Sequence, residues 1–495
     1  MSKVFDVIRL ADLVDVPDEL DPAQRDIEIV GVTADSREVR PGYLFAALPG
    51  TRVDGAQFLH GALEAGAAAA IAARSAAVHV EDARHAPVVR VDEPRGAFAR
   101  AVARFYHSQP ETIVAVTGTS GKTSVASFVR QMFEASGFMA ASLGTLGVVA
   151  PGKAAYGSLT TPDTVRLHQV LAELAGAGVT HLAMEASSHG LDQHRLDGVR
   201  IQAAGFTNLG RDHLDYHPTV EAYLEAKLRL FRSLLPDDGT AVVDVDSAEG
   251  RAVAEVCEGR GVELLRVGRE GKEIRLLGLR PDGFQQHLEL EVLGARVDLS
   301  LPLAGEFQAA NALVAAGLAL AGGAALPDVL QAMTRLEGAK GRLELVGSRG
   351  NGALVFVDYA HKPDALDNVL RALRPFAKGR LAVVFGCGGD RDPGKRPIMG
   401  EVATRLADRV YVTDDNPRSE EPAAIRAAIM ETAPGATEIG DRRTAIAQAI
   451  ADLDAGDILV VAGKGHETGQ IVGSRTLPFS DHEVVAEVLA EEKAE

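Results

Sequence analysis

A glycine-containing turn between an apolar segment and an amphipathic segment is the feature that most restricts the folds open to this chain. The apolar segment covers residues 112–116, and the amphipathic pattern after the turn reaches Phe133. The turn consists of Gly118, Thr119, Ser120, Gly121, Lys122, Thr123 and Ser124. This order predicts a strand, a tight turn and the start of a helix, which is the arrangement of a phosphate-binding loop.

The chemistry of such a loop points to a nucleotide ligand. Its backbone N–H groups and the helix N-terminus face outward, so that Lys122 would bind β- and γ-phosphate oxygens and Thr123 would bind Mg²⁺. The general pattern has a glycine five residues before Gly121, whereas this chain has Val116 there and its glycine at Gly118. We therefore expect a shortened loop that binds ATP or GTP. The alternative is a flexible glycine turn with a chance lysine.

Length and composition exclude several classes of protein. A chain of 495 residues predicts two to four domains of about 100 to 200 residues. The net charge of −18 opposes binding to a nucleic acid backbone, and two cysteines are too few for a disulfide framework. Charged residues between Asp6 and Asp15 argue against a signal peptide. The alanine-rich run 65–77 is shorter than the roughly 20 apolar residues that span a bilayer, so we expect a cytoplasmic protein without a membrane span.

Apolar runs and turn signals divide the chain into three predicted α/β domains, with boundaries at 1–108, 109–337 and 338–495. The first is small and contains apolar runs at 27–32, 43–48 and 67–72. The second has strands at 112–116, 181–184, 203–206 and 240–245 and is predicted to be a central domain like a P-loop ATPase. The third has strands at 353–357, 381–385, 409–412 and 458–461 and is predicted to be Rossmann-like. Ligands of such sheets bind beyond the carboxyl ends of the strands, where this chain places its polar clusters.

Three polar residues of the central region are candidates for catalysis, each with a plainer alternative. Glu185 follows the strand at 181–184, where a carboxylate can hold Mg²⁺, although Ser187 nearby would also serve as a helix cap. His213 lies in a polar loop, and taken alone it is better interpreted as a surface histidine than as a metal ligand. Lys227 lies on a helical pattern and would ordinarily be a solvated lysine.

These motifs, in this order, resemble the Mur ligase family of ATP-dependent amide-forming enzymes. The resemblance runs from Ser36, in Asp35-Ser36-Arg37, through the shortened loop to Glu467, in Gly463-Lys464-Gly465-His466-Glu467. It implies a role in peptidoglycan synthesis, and with it in cell wall biogenesis, cell shape and cell division. The implied ligands are ATP, Mg²⁺, a UDP-N-acetylmuramoyl-dipeptide and meso-diaminopimelate. We expect the enzyme to be a monomer.

The resemblance assigns one set of residues to the UDP-muramoyl-dipeptide. This set comprises Ser36, Thr160, Thr161, Ser187, Gln193 and Arg195. The guanidinium of Arg195 suits the carboxylates and phosphates of that substrate, although Arg195 could instead be a plain surface charge. The alternative for Ser36 is a turn residue. The family often has histidine after Asp-Gly, whereas Asp54-Gly55 is followed here by Ala56.

A second set is implied for ATP, Mg²⁺ and catalysis. Lys122, Glu185, His213 and Lys227 are the implied catalytic residues, and Thr123, Glu185, His213 and Lys227 are the implied Mg²⁺ ligands, with Lys227 modified to a carbamate (N6-carboxylysine). Besides residues 118–124, the implied ATP contacts are Asn311, Arg342, Asp358, His361 and Lys395. A helix cap is the alternative for Asn311.

A third set is implied for the amino-acid acceptor. Its members are Arg391, Asp415, Asn416, Pro417, Arg418, Gly463 and Glu467. An arginine at Arg418 can pair with the distal carboxylate of diaminopimelate, which lysine lacks, so a lysine-adding enzyme would be expected to differ there. The alternative for residues 415–418 is a turn, which Asn-Pro favours.

The implied reaction forms an acyl phosphate that an amine then attacks, with closure of the third domain during turnover. One alternative is the same ligation with L-lysine or another diamino acid. Folylpolyglutamate synthase shares the phosphate loop but does not explain residues 415–418 or the first domain. A GTPase switch lacks support because the guanine-reading Asn-Lys-x-Asp or Thr-Lys-x-Asp string is absent. A non-catalytic nucleotide-binding homologue is a further alternative, against which the intact Lys122, Glu185, His213 and Lys227 argue.

Overall fold

The computed structural model describes residues 7–50, 53–76, 86–155, 159–210, 216–282 and 285–494. Within them the chain forms three sheets of four or more strands and two two-stranded sheets, with helices between the strands. This mixed α/β architecture with parallel sheets confirms the predicted fold class. The domain boundaries at 108/109 and 337/338 stay a prediction.

The N-terminal region is built around a small parallel sheet. Its elements are β1 (Ile8–Arg9), α1 (Leu10–Leu13), α2 (Pro22–Arg25), β2 (Glu28–Ile29), β3 (Gly31–Thr33), β4 (Tyr43–Ala47), α3 (Leu59–Glu64), β5 (Ala69–Ala73), β6 (Val88–Val91) and α4 (Pro94–Tyr106). The sheet has the order β3-β4-β5-β6. The apolar run 27–32 contains two strands, because β2 pairs antiparallel with β1 while β3 pairs parallel with β4.

The central region carries the largest sheet, which has eleven strands. Its elements are β7 (Thr112–Thr117), α5 (Lys122–Ala135), β8 (Ala140–Gly144), β9 (Gly147–Ala150), β10 (Lys153–Ala155), α6 (Thr164–Gly176), β11 (His181–Glu185), α7 (Ser188–Asp192), β12 (Ile201–Phe206), α8 (Val220–Arg229), β13 (Thr240–Asp244), α9 (Ala248–Arg260), β14 (Glu263–Gly268), β15 (Ile274–Asp282), β16 (Gln285–Val292), β17 (Ala295–Leu301), α10 (Glu306–Ala321) and α11 (Leu326–Met333). The strand order is β10-β9-β8-β11-β7-β12-β13-β14-β15-β16-β17.

The four strands predicted in this region are confirmed, and they lie side by side as β11-β7-β12-β13. All four pair in parallel, and apolar side chains cover both faces of the sheet. Helices α5 and α10 pack on one face through residues such as Phe128 and Leu313, while α6 packs on the other through Leu167. The carboxyl ends of these strands therefore meet at one edge, which is where the phosphate-binding loop and Glu185 lie.

The C-terminal region contains a six-stranded sheet and a separate hairpin. Its elements are β18 (Glu344–Ser348), β19 (Leu354–Asp358), α12 (Pro363–Leu373), β20 (Leu381–Phe385), α13 (Lys395–Leu406), β21 (Arg409–Val412), α14 (Pro422–Met430), β22 (Thr437–Glu438), α15 (Arg442–Ala451), β23 (Ile458–Ala462), β24 (Gly469–Val472), β25 (Arg475–Pro478) and α16 (Asp481–Ala494). The sheet order is β18-β19-β23-β20-β21-β22, parallel except for β18. The four strands predicted here are confirmed. Throughout the described ranges, none of the helices has the length and apolar character that a membrane span requires.

Candidate active site

The phosphate-binding loop joins β7 to α5 and depends on two glycines. Gly118 and Gly121 have φ angles of +147° and +89°. A β-carbon at Gly118 would lie 1.9 Å from Thr207 Oγ1, and one at Gly121 would lie 2.2 Å from Asn311 Oδ1. Only glycine fits at these positions. Asn311 lies within α10 rather than at its end, so it does not cap that helix.

The loop is held by the polar residues that follow β12. Thr119 N donates to Asn208 O at 2.9 Å, and Ser120 N donates to Asn208 Oδ1 at 3.0 Å. Thr207 Oγ1 donates to Ser120 O at 2.7 Å. Neither Thr207 nor Asn208 was predicted from the sequence to have a role. Their position directly after an apolar strand was the available signal.

Two lysines predicted to be catalytic meet at this loop. Lys122 Nζ donates to Gly118 O at 2.8 Å and to Thr119 O at 2.9 Å. Lys227 Nζ reaches the same carbonyl of Gly118 from α8, at 2.7 Å. Lys227 is buried and lies 4.3 Å from the centre of the Tyr223 ring, so the interpretation as a solvated lysine is wrong.

Glu185 ends β11, next to β7 in the sheet, and its buried carboxylate is held in one orientation. Its Oε1 accepts a hydrogen bond from Thr145 N at 2.7 Å, and its Oε2 accepts one from Thr145 Oγ1 at 3.1 Å. Thr145 Oγ1 is also 3.1 Å from Thr160 Oγ1, which links Glu185 to the predicted dipeptide contacts. No sequence motif marks Thr145.

The predicted metal ligands are only partly covered by the structure. His213 lies in 211–215, outside the described residues. Among the residues that are described, no group of three or more His, Cys, Asp or Glu side chains is gathered as a metal site. Glu185 and the buried Thr123 nevertheless supply oxygen donors, which Mg²⁺ prefers, beside the phosphate-binding loop.

Four of the six residues predicted to bind the muramoyl-dipeptide form one hydrogen-bonded group. Thr161 Oγ1 donates to Glu185 O at 3.0 Å and accepts from Ser187 N at 3.0 Å. Thr161 O accepts from Arg195 Nη1 at 2.7 Å, and Arg195 Nη2 donates to Gln193 Oε1 at 2.7 Å. Arg195 is partly buried and its guanidinium is held by these hydrogen bonds, so it is not a plain surface charge; burial also lowers its pKa. Ser187 also caps α7, which is the alternative role that the sequence predicted for this serine.

A cavity of about 770 Å³ lies where the N-terminal and central regions meet. Ser36, Gln193 and Arg195 line it, together with Phe58 and Arg95. The structure thus brings Ser36 to two of the predicted dipeptide contacts, although they are far apart in the sequence. The whole lining includes three arginines and three phenylalanine rings as well as three carboxylates, and the arginines and rings suit an elongated ligand that carries anionic groups.

The predicted ATP contacts of the C-terminal region gather around the end of β19. Asp358 Oδ2 accepts from Leu343 N at 2.6 Å, and its Oδ1 accepts from Ala360 N at 2.7 Å. Burial raises the pKa of Asp358 to about 6. Arg342 Cζ lies 4.7 Å from the centre of the Tyr359 ring, and its buried Nε has no hydrogen-bond partner within the described ranges.

His361 and Lys395 lie together beside this group. Lys395 Nζ donates to His361 O at 2.8 Å. Burial lowers the pKa of His361 to about 4 and also lowers the pKa of Lys395. Both residues are partly buried, which is the cause of these shifts.

The predicted acceptor contacts centre on a buried lysine that the sequence analysis left without a role. Lys464 Nζ donates to Asn416 Oδ1 at 2.9 Å and to Glu467 Oε2 at 3.1 Å. Asn416 Nδ2 donates to the same oxygen of Glu467 at 2.9 Å. The position of Lys464 between Gly463 and Gly465 was the signal that could have identified it.

Three further residues of the predicted acceptor set are charged, and their surroundings differ. Asp415 Oδ2 is buried and has no hydrogen-bond partner among the residues described, and a β-carbon at Gly463 would lie 2.5 Å from it. Arg418 has a φ of +51°, and its Nη1 donates to Gly389 O at 2.9 Å. Arg391 is exposed and lies two residues after Gly389.

Three family models match this chain. The model described as Mur ligase middle domain matches residues 116–319, and the model described as Mur ligase, glutamate ligase domain, matches residues 341–465. The model described as Mur ligase family, catalytic domain, matches residues 28–106. Together they cover well over half of the chain.

Curated proteins and solved structures are similar over nearly the full length. The chain is 56% identical to a UDP-N-acetylmuramoyl-L-alanyl-D-glutamate–2,6-diaminopimelate ligase of Mesorhizobium japonicum, over 98% of this chain and 100% of that protein. It is 58% identical to a ligase of the same name from Rhizobium meliloti, over 94% of each. A solved structure of a ligase of that name covers 99% of this chain and all of its own, with 31% identity and a TM-score of 0.74. A Thermotoga maritima MurF ligase in complex with ADP covers 93% of this chain and 97% of its own, at 21% identity and a TM-score of 0.59, which supports the fold alone.

Proposed function

Because this chain belongs to the Mur ligase family, we propose that it joins meso-2,6-diaminopimelate to the γ-carboxylate of D-glutamate in UDP-N-acetylmuramoyl-L-alanyl-D-glutamate, at the expense of ATP. The observation that carries the proposal is the acceptor group, in which Asp415, Asn416 and Arg418 lie beside Lys464 and Glu467. It occurs in a chain 56–58% identical to relatives named for this reaction.

The first chemical step activates the dipeptide carboxylate. An oxygen of that carboxylate attacks the γ-phosphorus of ATP, and the bond from this phosphorus to the β,γ-bridging oxygen breaks. ADP departs, and the carboxylate of the dipeptide has become an acyl phosphate. Such a step needs positioning and charge stabilisation more than covalent help from the protein. Lys122 and the N–H groups of residues 118–124 would hold the phosphates, while Arg195 orients the anionic dipeptide.

The second step forms the amide. The amine nitrogen of diaminopimelate attacks the acyl carbon, a tetrahedral intermediate forms, phosphate leaves, and the nitrogen loses a proton. The buried Oδ2 of Asp415 can accept a hydrogen bond from an amine or ammonium group of the amino acid. Arg418 would pair with the distal carboxylate, with Arg391 helping to orient the nucleophile.

The residues beside the phosphate loop fit Mg²⁺. Thr123, Glu185 and a carbamylated Lys227 would hold it, since oxygen donors suit this hard cation and Lys227 would have to become an anion. His213, which lies outside the described residues, stays a predicted further ligand. When bound, the ion would neutralise charge on the phosphoryl oxygens. Thr145 fixes the Glu185 carboxylate by two hydrogen bonds, so that donor is already oriented.

Two other functions are weaker fits. A ligase that adds L-lysine would leave Arg418 without the carboxylate that it is placed to bind. A non-catalytic homologue would not need the buried Lys227 and oriented Glu185 beside the phosphate loop.

Phosphate release measured together with product mass tests the proposal. Purified protein would receive ATP, Mg²⁺, the UDP-linked dipeptide and meso-diaminopimelate, and each component would be omitted in turn. We expect stoichiometric phosphate and UDP-linked tripeptide only when all components are present. Phosphate release that needs neither the dipeptide nor the amino acid, or no turnover at all, would contradict a ligase of this kind.

A further inference from the structure

A buried carboxylate joins three parts of the molecule next to the dipeptide contacts. Asp197 is 3% exposed. Its Oδ2 accepts from Arg229 Nη2 at 2.8 Å, lies 3.2 Å from His194 Nδ1 and accepts from Arg100 Nη1 at 3.5 Å. Its Oδ1 lies 2.8 Å from Arg229 Nη1. No sequence motif drew attention to this residue.

The three partners belong to different elements. Arg229 is on α8, two residues after Lys227, and Arg100 is on α4 of the N-terminal region. His194 lies between Gln193 and Arg195, in the loop that lines the 770 Å³ cavity. The φ of His194 is +58°, which a residue with a β-carbon adopts only when its surroundings hold it there.

Close packing leaves this junction little freedom. A β-carbon at Gly96 of α4 would lie 2.6 Å from Asp197 Oδ2, and one at Gly198 would lie 2.5 Å from the Ala103 Cβ. Helix α4 therefore lies directly on the turn that contains Asp197. Burial by itself would raise the pKa of Asp197, but hydrogen bonds from His194 and Arg229 outweigh it and lower the pKa, so the carboxylate stays ionised.

We infer that Asp197 is a positioning residue for the UDP-linked substrate, an inference that rests on the proposed function. Its charge holds His194, and with it the side chains of Gln193 and Arg195, in the orientation that lines the cavity. It also fixes that loop to the N-terminal region through Arg100, so the two walls of the cavity keep their spacing. Asp197 itself contacts neither the ATP loop nor the acceptor group, whose hydrogen bonds come from Asn208 and Lys464.

The first test is Asp197→Asn, which keeps the size of the side chain and removes its charge. We expect the KM for the UDP-linked dipeptide to rise about tenfold, while the KM values for ATP and diaminopimelate change less than twofold. Because this substitution could also impair folding, Asp457→Asn is the matched control. Asp457 is also 3% exposed and is paired with an arginine, Arg380, at 2.8 Å, but it lies in the C-terminal region. The control variant should have a lower melting temperature and unchanged KM values.

A gentler pair of variants keeps the test decisive if Asp197→Asn does not fold. Arg100 and Arg104 are on the same helix, are equally exposed at 40% of their side chains, and both bind Asp15. Only Arg100 of the two also contacts Asp197, since the second partner of Arg104 is Leu13 O. Arg100→Gln should raise the KM for the dipeptide about threefold, and Arg104→Gln should not.

The outcomes separate this inference from the proposed function. If the wild-type protein does not turn over, the proposed function fails. If it does, an unchanged dipeptide KM in Asp197→Asn and in Arg100→Gln overturns the positioning role. An equal rise of all three KM values would also overturn it, because that would indicate a general structural effect.

Discussion

At the scale of single residues, Arg418 has the sharpest consequence for substrate choice. Its backbone adopts φ +51°, and its guanidinium donates to Gly389 O, so the side chain is held rather than free to swing. A planar guanidinium binds a carboxylate through two parallel hydrogen bonds, a geometry that the ammonium group of a lysine side chain does not offer. The distal carboxylate is the group by which diaminopimelate differs from lysine.

Arg418→Ala should therefore raise the KM for diaminopimelate at least about thirtyfold, corresponding to roughly 2 kcal/mol for a lost charged hydrogen-bond pair. The KM values for ATP and the dipeptide should stay within twofold. Steady-state kinetics with each substrate varied in turn measures this. Arg443→Ala is the control, because Arg443 lies in the same region and pairs with Glu487 on the surface. If Arg418→Ala and Arg443→Ala change the KM for diaminopimelate equally, Arg418 has no specific role in binding the acceptor.

His168 predicts a pH dependence of stability. It is buried in α6 with Nε2 3.3 Å from Asp197 O, and burial lowers its pKa to about 4. Between pH 6.5 and 4 the unfolded chain binds the proton more readily than the folded one, so stability falls as the pH falls through this range. The loss from this one group is about 2 kcal/mol by pH 5.

Calorimetry of His168→Gln at pH 7 and pH 5 checks this. We expect the variant to lose less melting temperature than the wild type over that interval, because glutamine does not titrate. His60→Gln, at an exposed position on α3, should follow the wild type. Parallel pH dependences of the wild type and His168→Gln would show that His168 is not kept neutral by burial.

At the scale of elements, helix α5 gives a controlled test of the phosphate loop. Gly121 at its start and Gly137 after its end both have positive φ, at +89° and +85°. A β-carbon at Gly121 would lie 2.2 Å from Asn311 Oδ1, whereas one at Gly137 would meet nothing within 4 Å. Replacing either glycine with alanine therefore has a similar backbone cost of about 1 kcal/mol, because both φ angles are positive. Only the replacement at Gly121 also produces a clash.

Gly121→Ala should weaken ADP binding at least about tenfold, because the clash with Asn311 moves the loop that holds the phosphates. Gly137→Ala should lower the melting temperature and leave the affinity for ADP unchanged. Titration calorimetry with ADP measures both. An unchanged affinity in Gly121→Ala would contradict the assignment of this loop to the nucleotide.

The elements that sequence could predict are those whose pattern is local. The strand, turn and helix from Thr112 to Ala135 follow from an apolar run, two glycines and a 3.6-residue period. The strands β15, β16 and β17 were not predicted. They pair antiparallel and extend the sheet at one edge, and the alternation of apolar and polar residues at Leu288, Leu290 and Val292 was a local signal for β16 that was missed.

The same distinction holds for the site. Glu185 ends β11 and Lys122 begins the helix that follows β7, so their positions at one sheet edge could be predicted. Thr145 and Asp197 could not, because the contacts that give them a role join residues far apart in the sequence. The roles of the predicted site residues, including His213, stay predictions.

At the scale of the whole molecule, the proposed ATP contacts belong to two different sheets. Residues 118–124 follow β7 of the central sheet, whereas Asp358 ends β19 of the C-terminal sheet. Catalysis needs groups held within hydrogen-bond reach of the reacting atoms. We therefore expect the C-terminal region to close on the central one during turnover.

Small-angle scattering checks this closure. The radius of gyration should fall when a non-hydrolysable ATP analogue, the dipeptide and diaminopimelate are added together, and less when the analogue is added alone. The same profiles give the molecular mass, which tests the expected monomer. Superimposable profiles with and without the complete set of ligands would contradict closure.

The most direct test of the proposed function is a competition between acceptors. Wild-type protein would be given ATP, Mg²⁺, the UDP-linked dipeptide and equal concentrations of meso-diaminopimelate and L-lysine in one reaction, and the products would be identified by mass. We predict that the diaminopimelate product predominates by at least about a hundredfold, since a site built to bind the distal carboxylate rejects an analogue without it. Equal amounts of the two products, or an excess of the lysine product, would contradict the specificity assigned to Arg418.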